Sequence, residues 1–262
     1  MTRRRSLFLL AVPALAQSSR ERAKKVLDGC LEALGGERFL RMRDRVESGR
    51  AYTFYHGRLA GLSRATIHTR YLTASSTPEP GKVYVRERQT LGKNQDYGVL
   101  FDEEKGYSMT LRGASPLPPD TIARYQDTTR RNIFYFLRQR FHEPGLILEY
   151  RAAEVFENQP VDVIDVTDSE NNAATYYIHQ STRLPVRQVF YRRDKERVRH
   201  EEISLYSKFR DVGGGVQWPF AIMRSRDGEK IYEIFSEDVK INQDLSDELF
   251  ILSASMKITP LK

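Results

Sequence analysis

From Gly49 onward the chain is a succession of short segments rich in Tyr, Val, Ile, Phe and Thr, each closed off by Gly, Pro, Asn or Asp. This texture constrains the fold more than any other feature. β-Branched and aromatic residues suit a pleated surface, and frequent turn residues bring successive strands back beside one another, the pattern of an antiparallel sheet. Strands are expected near 49–56, 63–73, 82–88, 95–101 and 106–112, and again near 146–157, 161–167, 174–180, 185–193, 198–210, 216–224 and 230–239. Tyr107, Met109 and Leu111 alternate with Ser108, Thr110 and Arg112, so this strand has two unlike faces.

Two segments read as helices. Between Ser18 and Leu34, the residues Ala23, Val26, Leu27, Cys30, Leu31 and Leu34 recur at helical spacing; Ser18-x-x-Glu21 has the form of a capping box, and Gly35-Gly36 ends the run. Its apolar face is expected to cover the sheet, with a membrane surface as the competing reading. Pro116 to Pro119 interrupts the strands, and Asp120 is placed to cap a second helix reaching about Phe141. The fold class expected is mainly β (α+β): a strongly curved antiparallel sheet that closes on itself or is covered by helices, leaving a groove between the two.

The N-terminus has a different character. Arg3-Arg4-Arg5 precedes the apolar run Leu7 to Val12 and the small residues Ala14 and Ala16, the three regions of a secretory signal. The run is shorter than the roughly 20 residues that span a bilayer, and no later segment reads as transmembrane. Residues 1–16 are therefore expected to be a signal peptide, and 17–262 a single domain in the periplasm. The Sec route is the expected one, with Arg4-Arg5-Ser6-Leu7-Phe8-Leu9 as a loose twin-arginine alternative. No cysteine follows the small residues, so no lipid anchor is expected. Losing Arg3, Arg4 and Arg5 with no acid lowers the formal charge from +7 to +4. Cys30 is the only cysteine, which excludes an internal disulfide.

Familiar catalytic signatures are missing from the sequence. His56, His68, His142, His179 and His200 show no paired metal-ligand spacing; no G-x-S-x-G or phosphate loop occurs, and Gly213-Gly214-Gly215 sits between strands as a turn. No metal or cofactor is expected. Carboxylates such as Asp102, Glu103, Asp162, Asp165 and Asp168 are read as solvated strand ends, with a hydrolase pair as the alternative. The stretch Arg183 to Arg210 mixes Arg183, Arg187, Arg192, Arg193, Lys195, Arg197, Arg199, Lys208 and Arg210 with Phe190, Tyr191, Tyr206 and Phe209. Export argues against nucleic acid as its partner. A solvated basic hairpin face, balanced by Asp194, Glu196, Glu201 and Glu202, is the first reading, and contact with anionic headgroups or an acidic partner is the second. On the early strands Tyr52, Phe54, Ile67, Tyr71, Val83, Val85, Tyr107, Met109 and Leu111 are candidates to line a cavity, or equally to form ordinary core, because alternation identifies a buried face without saying what buries it.

The order of elements resembles the LolA-like and RseB-like periplasmic lipoprotein-carrier superfamily. The resemblance rests on the helix ending Leu34-Gly35-Gly36 before Phe39-Leu40 and Ser48-Gly49, and on the acidic turn Phe101-Asp102-Glu103-Glu104-Lys105-Gly106 leading into Tyr107-Ser108-Met109. It continues in the closing segments Tyr206 to Phe209, Gly213 to Val216, Trp218-Pro219 and Asn242 to Phe250. It implies an unclosed β-barrel with helices as a lid over an apolar cavity. The role implied is non-enzymatic: binding a lipid or the acyl chain of a lipidated protein, or, as in RseB-like members, sensing the envelope through a protein partner. Arg64 and Arg70 lie in the region where the family places a cavity arginine. With Arg192 and Arg193 they are the candidates for a headgroup or partner contact.

Overall fold

The computed structural model describes residues 11–72, 82–253 and 256–260, with side chains from Ser18 onward. Among these described residues thirteen antiparallel strands form one sheet: β1 Asp44–Tyr55, β2 Arg58–Tyr71, β3 Val85–Leu91, β4 Tyr97–Phe101, β5 Gly106–Thr110, β6 Gly113–Pro116, β7 Ile147–Phe156, β8 Gln159–Thr167, β9 Ala173–His179, β10 Pro185–Arg193, β11 Arg199–Asp211, β12 Gln217–Arg226 and β13 Glu229–Ile241. The order across the sheet is β6-β5-β4-β3-β2-β1-β13-β12-β11-β10-β9-β8-β7. The two edges, β6 and β7, do not pair, so the sheet remains an unclosed barrel.

The chain starts at the centre with β1 and meanders out to the edge at β6. It then crosses to the opposite edge and meanders back to β13, which pairs with β1 from Arg45↔Ile241 to Thr53↔Tyr232. Whatever joins β6 to β7 must traverse one face of the sheet. That connection is helical: α3 Pro119–Arg131 and α4 Ile133–Tyr135, the latter running on as a π turn over Phe136–Arg140. Three hairpins close on two-residue loops with both residues at positive φ, His56-Gly57, Glu157-Asn158 and Asp227-Gly228, the turn whose twist matches the strands.

Preceding the sheet are α1 Ala11–Ala33 and the short α2 Glu37–Leu40. The last residues of the predicted signal, from Ala11, are continuous with α1, while residues 1–10 lie outside the described residues. Ser18 is thus inside a helix rather than at its cap. Its neighbour Ser19 instead accepts from the Tyr150 backbone N–H (3.1 Å) and ties α1 to β7. Ala23, Leu27 and Cys30 of α1, with Leu34 just after it, are fully buried, in one cluster with Phe136, Leu137, Ile164, Tyr176, Phe190, Tyr206 and Trp218. Burial pushes the Cys30 thiol well up. Gly35, at φ +122, lets the chain turn where a Cβ would lie 3.0 Å from the Val216 Cα.

The opposite, outer face has its own cover. The C-terminal segment forms a 3₁₀ turn, Asp247–Phe250, and buries Phe250 against Leu100, Met109 and Ala114. Beyond it Ile258 bridges to Ala114 in parallel, sheltering edge strand β6.

Candidate functional site

The site is the space between α3 and the sheet. Proline at the first helical position starts α3 after Pro118, with no side-chain cap, so Asp120 does not cap it as expected. Nor does one helix reach Phe141. Asn132 takes an extended conformation, ends α3, and caps α4 by accepting from the backbone N–H groups of Phe134 (3.1 Å) and Tyr135 (3.3 Å). The break drives Phe134 into the sheet, its ring 5.1 Å from Tyr206 and 4.8 Å from Trp218. Ile133 N–H donates to Gln188 Oε1 (2.9 Å), and Tyr84 N–H donates to the Tyr135 hydroxyl (2.8 Å). Both halves of the sheet hold α4. Further up, α3 is clipped to β4 by Tyr125 stacked on Phe101, centroids 3.7 Å apart.

Between these two attachments lies a cavity of about 510 Å³, within the usual range for ligand pockets. Its apolar walls include Ile67, Tyr71, Val85, Trp218, Ile222 and Ile234, and Thr121, Thr128 and Tyr125 of α3 form the roof.

The floor is not uniformly apolar. Alternation along β1 sends Arg45 and Glu47 inward, where they are 7 % and 1 % exposed. The Arg45 guanidinium lies 4.0 Å over the Trp218 ring, donates to Thr69 Oγ1 (3.1 Å) and sits 3.6 Å from Glu47. Burial alone would lower its pKa, but Tyr71, Glu47 and Glu87 outweigh that and raise it. Glu87 in turn accepts from Gln89 (2.6 Å) and from the Thr69 hydroxyl (3.4 Å). Burial, with the Glu87 carboxylate beside it, pushes the Tyr125 phenol well up. Arg45, Glu47, Thr69, Glu87 and Gln89 thus form a connected polar floor, in which, among the described residues, the Arg45 Nε and the Tyr125 hydroxyl are buried without a hydrogen-bond partner.

One side of the rim is strongly basic. Glu202 Oε1 accepts from Arg192 (2.8 Å) and from Arg226 (2.8 Å). Arg224 lines the cavity from β12 and Arg124 faces it from α3. Partial burial, with Arg192 and Arg226 close by, lowers the Arg124 pKa. Neighbouring Asp120 pairs with Lys195 instead.

The predicted site residues divide among several environments. Ile67, Tyr71 and Val85 line the cavity; Val83 is buried beside it against Tyr135. Tyr52 and Phe54 lie on the outer face, where Tyr52 meets Phe235 at 5.9 Å and Phe54 lies under Lys230. Tyr107 and Met109 belong to the outer cluster under the C-terminal segment, and Leu111 lies past the end of β5 at 84 % exposure. Arg64 shares Glu237 with Arg50 on the outer face. Arg70 pairs with Asp247 and lies 5.5 Å over Phe250. Arg192 reaches the rim, whereas Arg193 donates to the Arg197 carbonyl in the adjoining turn. Sequence reasoning passed over Arg45, Glu47 and Glu87, although Arg45-x-Glu47 carries the strand period into the segment just before Gly49. Among the described residues no three His, Cys, Asp or Glu converge as metal ligands, and no helix is long and apolar enough to cross a membrane.

No family model and no curated protein matches the chain. Solved structures do match it. A DUF1329 family protein from Desulfovibrio piger superposes with a TM-score of 0.58 at 10% identity, covering 87% of this chain and 97% of its own. A putative outer membrane lipoprotein-sorting protein domain from Vibrio parahaemolyticus gives 0.56 at 10% identity, and a LolA superfamily protein from Nitrosomonas europaea 0.52 at 13%, with the same coverage. The likeness establishes a LolA-like fold: an open antiparallel sheet with helices across one face.

Proposed function

We propose that the protein is an exported, non-enzymatic binding protein of the cell envelope that shields the acyl chain of a lipid or lipidated protein between α3 and the sheet. The observation that carries this reading is the cavity itself, about 510 Å³, walled by aliphatic and aromatic side chains and roofed by α3, which Tyr125 clips to β4 and which α4, bonded to Gln188, follows. Apolar walls with a few placed polar groups are the common form of a small-molecule site. The lipoprotein-sorting description of the Vibrio parahaemolyticus structure is in keeping with it. So is the Arg3 to Ala16 stretch, read as a cleavable signal ahead of one binding domain.

Native mass spectrometry of protein purified from the periplasm tests the reading. The expected result is a lipid-sized adduct that Thr128→Trp, filling the cavity from its roof, abolishes. A clean apo mass that takes up neither fatty acid nor lipopeptide contradicts it. A stoichiometric protein partner captured without lipid would favour the envelope-sensing role instead.

A further inference from the structure

The basic rim and the apolar cavity are one continuous surface, since Arg124 and Arg224 line the cavity that Trp218, Ile222 and Ile67 wall. Four guanidiniums from α3, β10 and β12 meet there: Arg124, Arg192, Arg224 and Arg226. A single oxygen of Glu202 serves both Arg192 and Arg226, Asp120 adds a second acid near Arg124, and Glu47 and Glu87 lie on the cavity floor with Arg45. Such an arrangement leaves positive charge in excess. Among the described residues neither Arg224, which lies 5.8 Å from the Tyr232 ring centroid, nor Arg124 has an ion pair. The Nε–H of Arg192, a residue only 15 % exposed at its side chain, is buried without an acceptor. Like charges crowded into a partly buried place are costly unless an anion joins them.

We infer that the Arg124–Arg192–Arg224–Arg226 rim is an anion subsite that takes the phosphate or carboxylate end of an amphiphile whose chain occupies the cavity. Guanidinium groups suit this task because their planar donors match the oxygens of both anions. The site therefore selects an anionic amphiphile over a neutral one of equal chain length. The inference rests on the cavity being the binding site, and adds to it the chemical class of the polar end.

Calorimetric titration of the purified mature protein with dodecyl phosphate, dodecyl maltoside and inorganic phosphate, each amphiphile below its micelle concentration, separates the possibilities. Dodecyl phosphate is expected to bind about tenfold tighter than dodecyl maltoside, the return from a charge-assisted hydrogen bond. In the Arg124→Gln/Arg224→Gln double variant that preference is expected to disappear. Arg193→Gln, outside the rim, keeps the preference. Both rim substitutions are at exposed positions, and an unchanged circular dichroism melt verifies that the variant is folded. Equal affinity for the two amphiphiles, or a preference that survives the double substitution, overturns the inference and leaves the carrier reading standing. Inorganic phosphate binding as tightly as dodecyl phosphate overturns the amphiphile assignment in favour of a free-anion site. Failure of both amphiphiles to bind overturns the carrier reading together with this one.

Discussion

At the scale of single residues, the cavity floor shows how a buried charge is tolerated only in company. Glu47 is 1 % exposed and depends on Arg45 and on the Ser236 hydroxyl. Arg45→Met is predicted to cost about 3–5 kcal/mol in urea unfolding because it strands that carboxylate. Arg45→Met with Glu47→Leu is expected to recover most of the loss; equal instability of single and double variants would contradict the pairing. A second buried acid, Asp168, ties the end of α3 through Arg130, and the π turn after α4 through Arg140, to the β8–β9 connection. Burial works to raise its pKa, but the Asn172 backbone N–H and Arg140 outweigh burial and lower it. A carboxylate whose pKa falls on folding contributes stability in full above its unfolded value of about 3.9, and loses it as pH drops through the folded value. Asp168→Asn is thus expected to destabilise the protein at neutral pH by about 3 kcal/mol and to flatten the acid limb of a stability–pH curve. An acid limb of unchanged steepness would argue against this.

At the scale of elements, local pattern was a good guide where the period is 2 and turn residues are frequent. The strands expected near 185–193 and 230–239 correspond closely to β10 and β13. Strand β6 escaped notice because it is four residues long and ends in Pro116, inside what reads as a break. The helix after it was expected whole, since its apolar spacing runs through Asn132; the capping tendency of that one residue breaks it. Which face of a strand meets the cavity was not legible. Tyr107 and Met109 do alternate with polar neighbours, but a segment well over a hundred residues later, ending in Phe250, buries them on the other side. Beginning β1 at Gly49 instead of Asp44 likewise hid Arg45 and Glu47. Gly49 itself sits where β13 bulges, and a Cβ there would lie 2.2 Å from the Phe235 carbonyl oxygen. Gly49→Ala is expected to lower stability by about 2 kcal/mol or more in denaturant titration; a neutral effect would mean that the two central strands do not approach this closely.

For the whole molecule, the decisive fact is the path of the chain. Two meanders meeting at β1 and β13 leave their edges far apart, so the link from β6 to β7 is forced across one face, and a helical link there leaves space beneath it. Overall architecture was readable in advance from element order; the polar floor and the basic rim were not, because each gathers residues from distant strands. In the function proposed, the space beneath α3 holds an acyl chain. Trp218 is the only tryptophan of the chain and lines that space, so its emission reports on the cavity alone. Titration with a fatty acid brominated along its chain is predicted to quench Trp218 fluorescence saturably, with the unbrominated acid competing the quencher away. Emission unchanged at concentrations where the acid is free in solution, or quenching that never saturates and resists competition, would mean that the cavity holds no acyl chain.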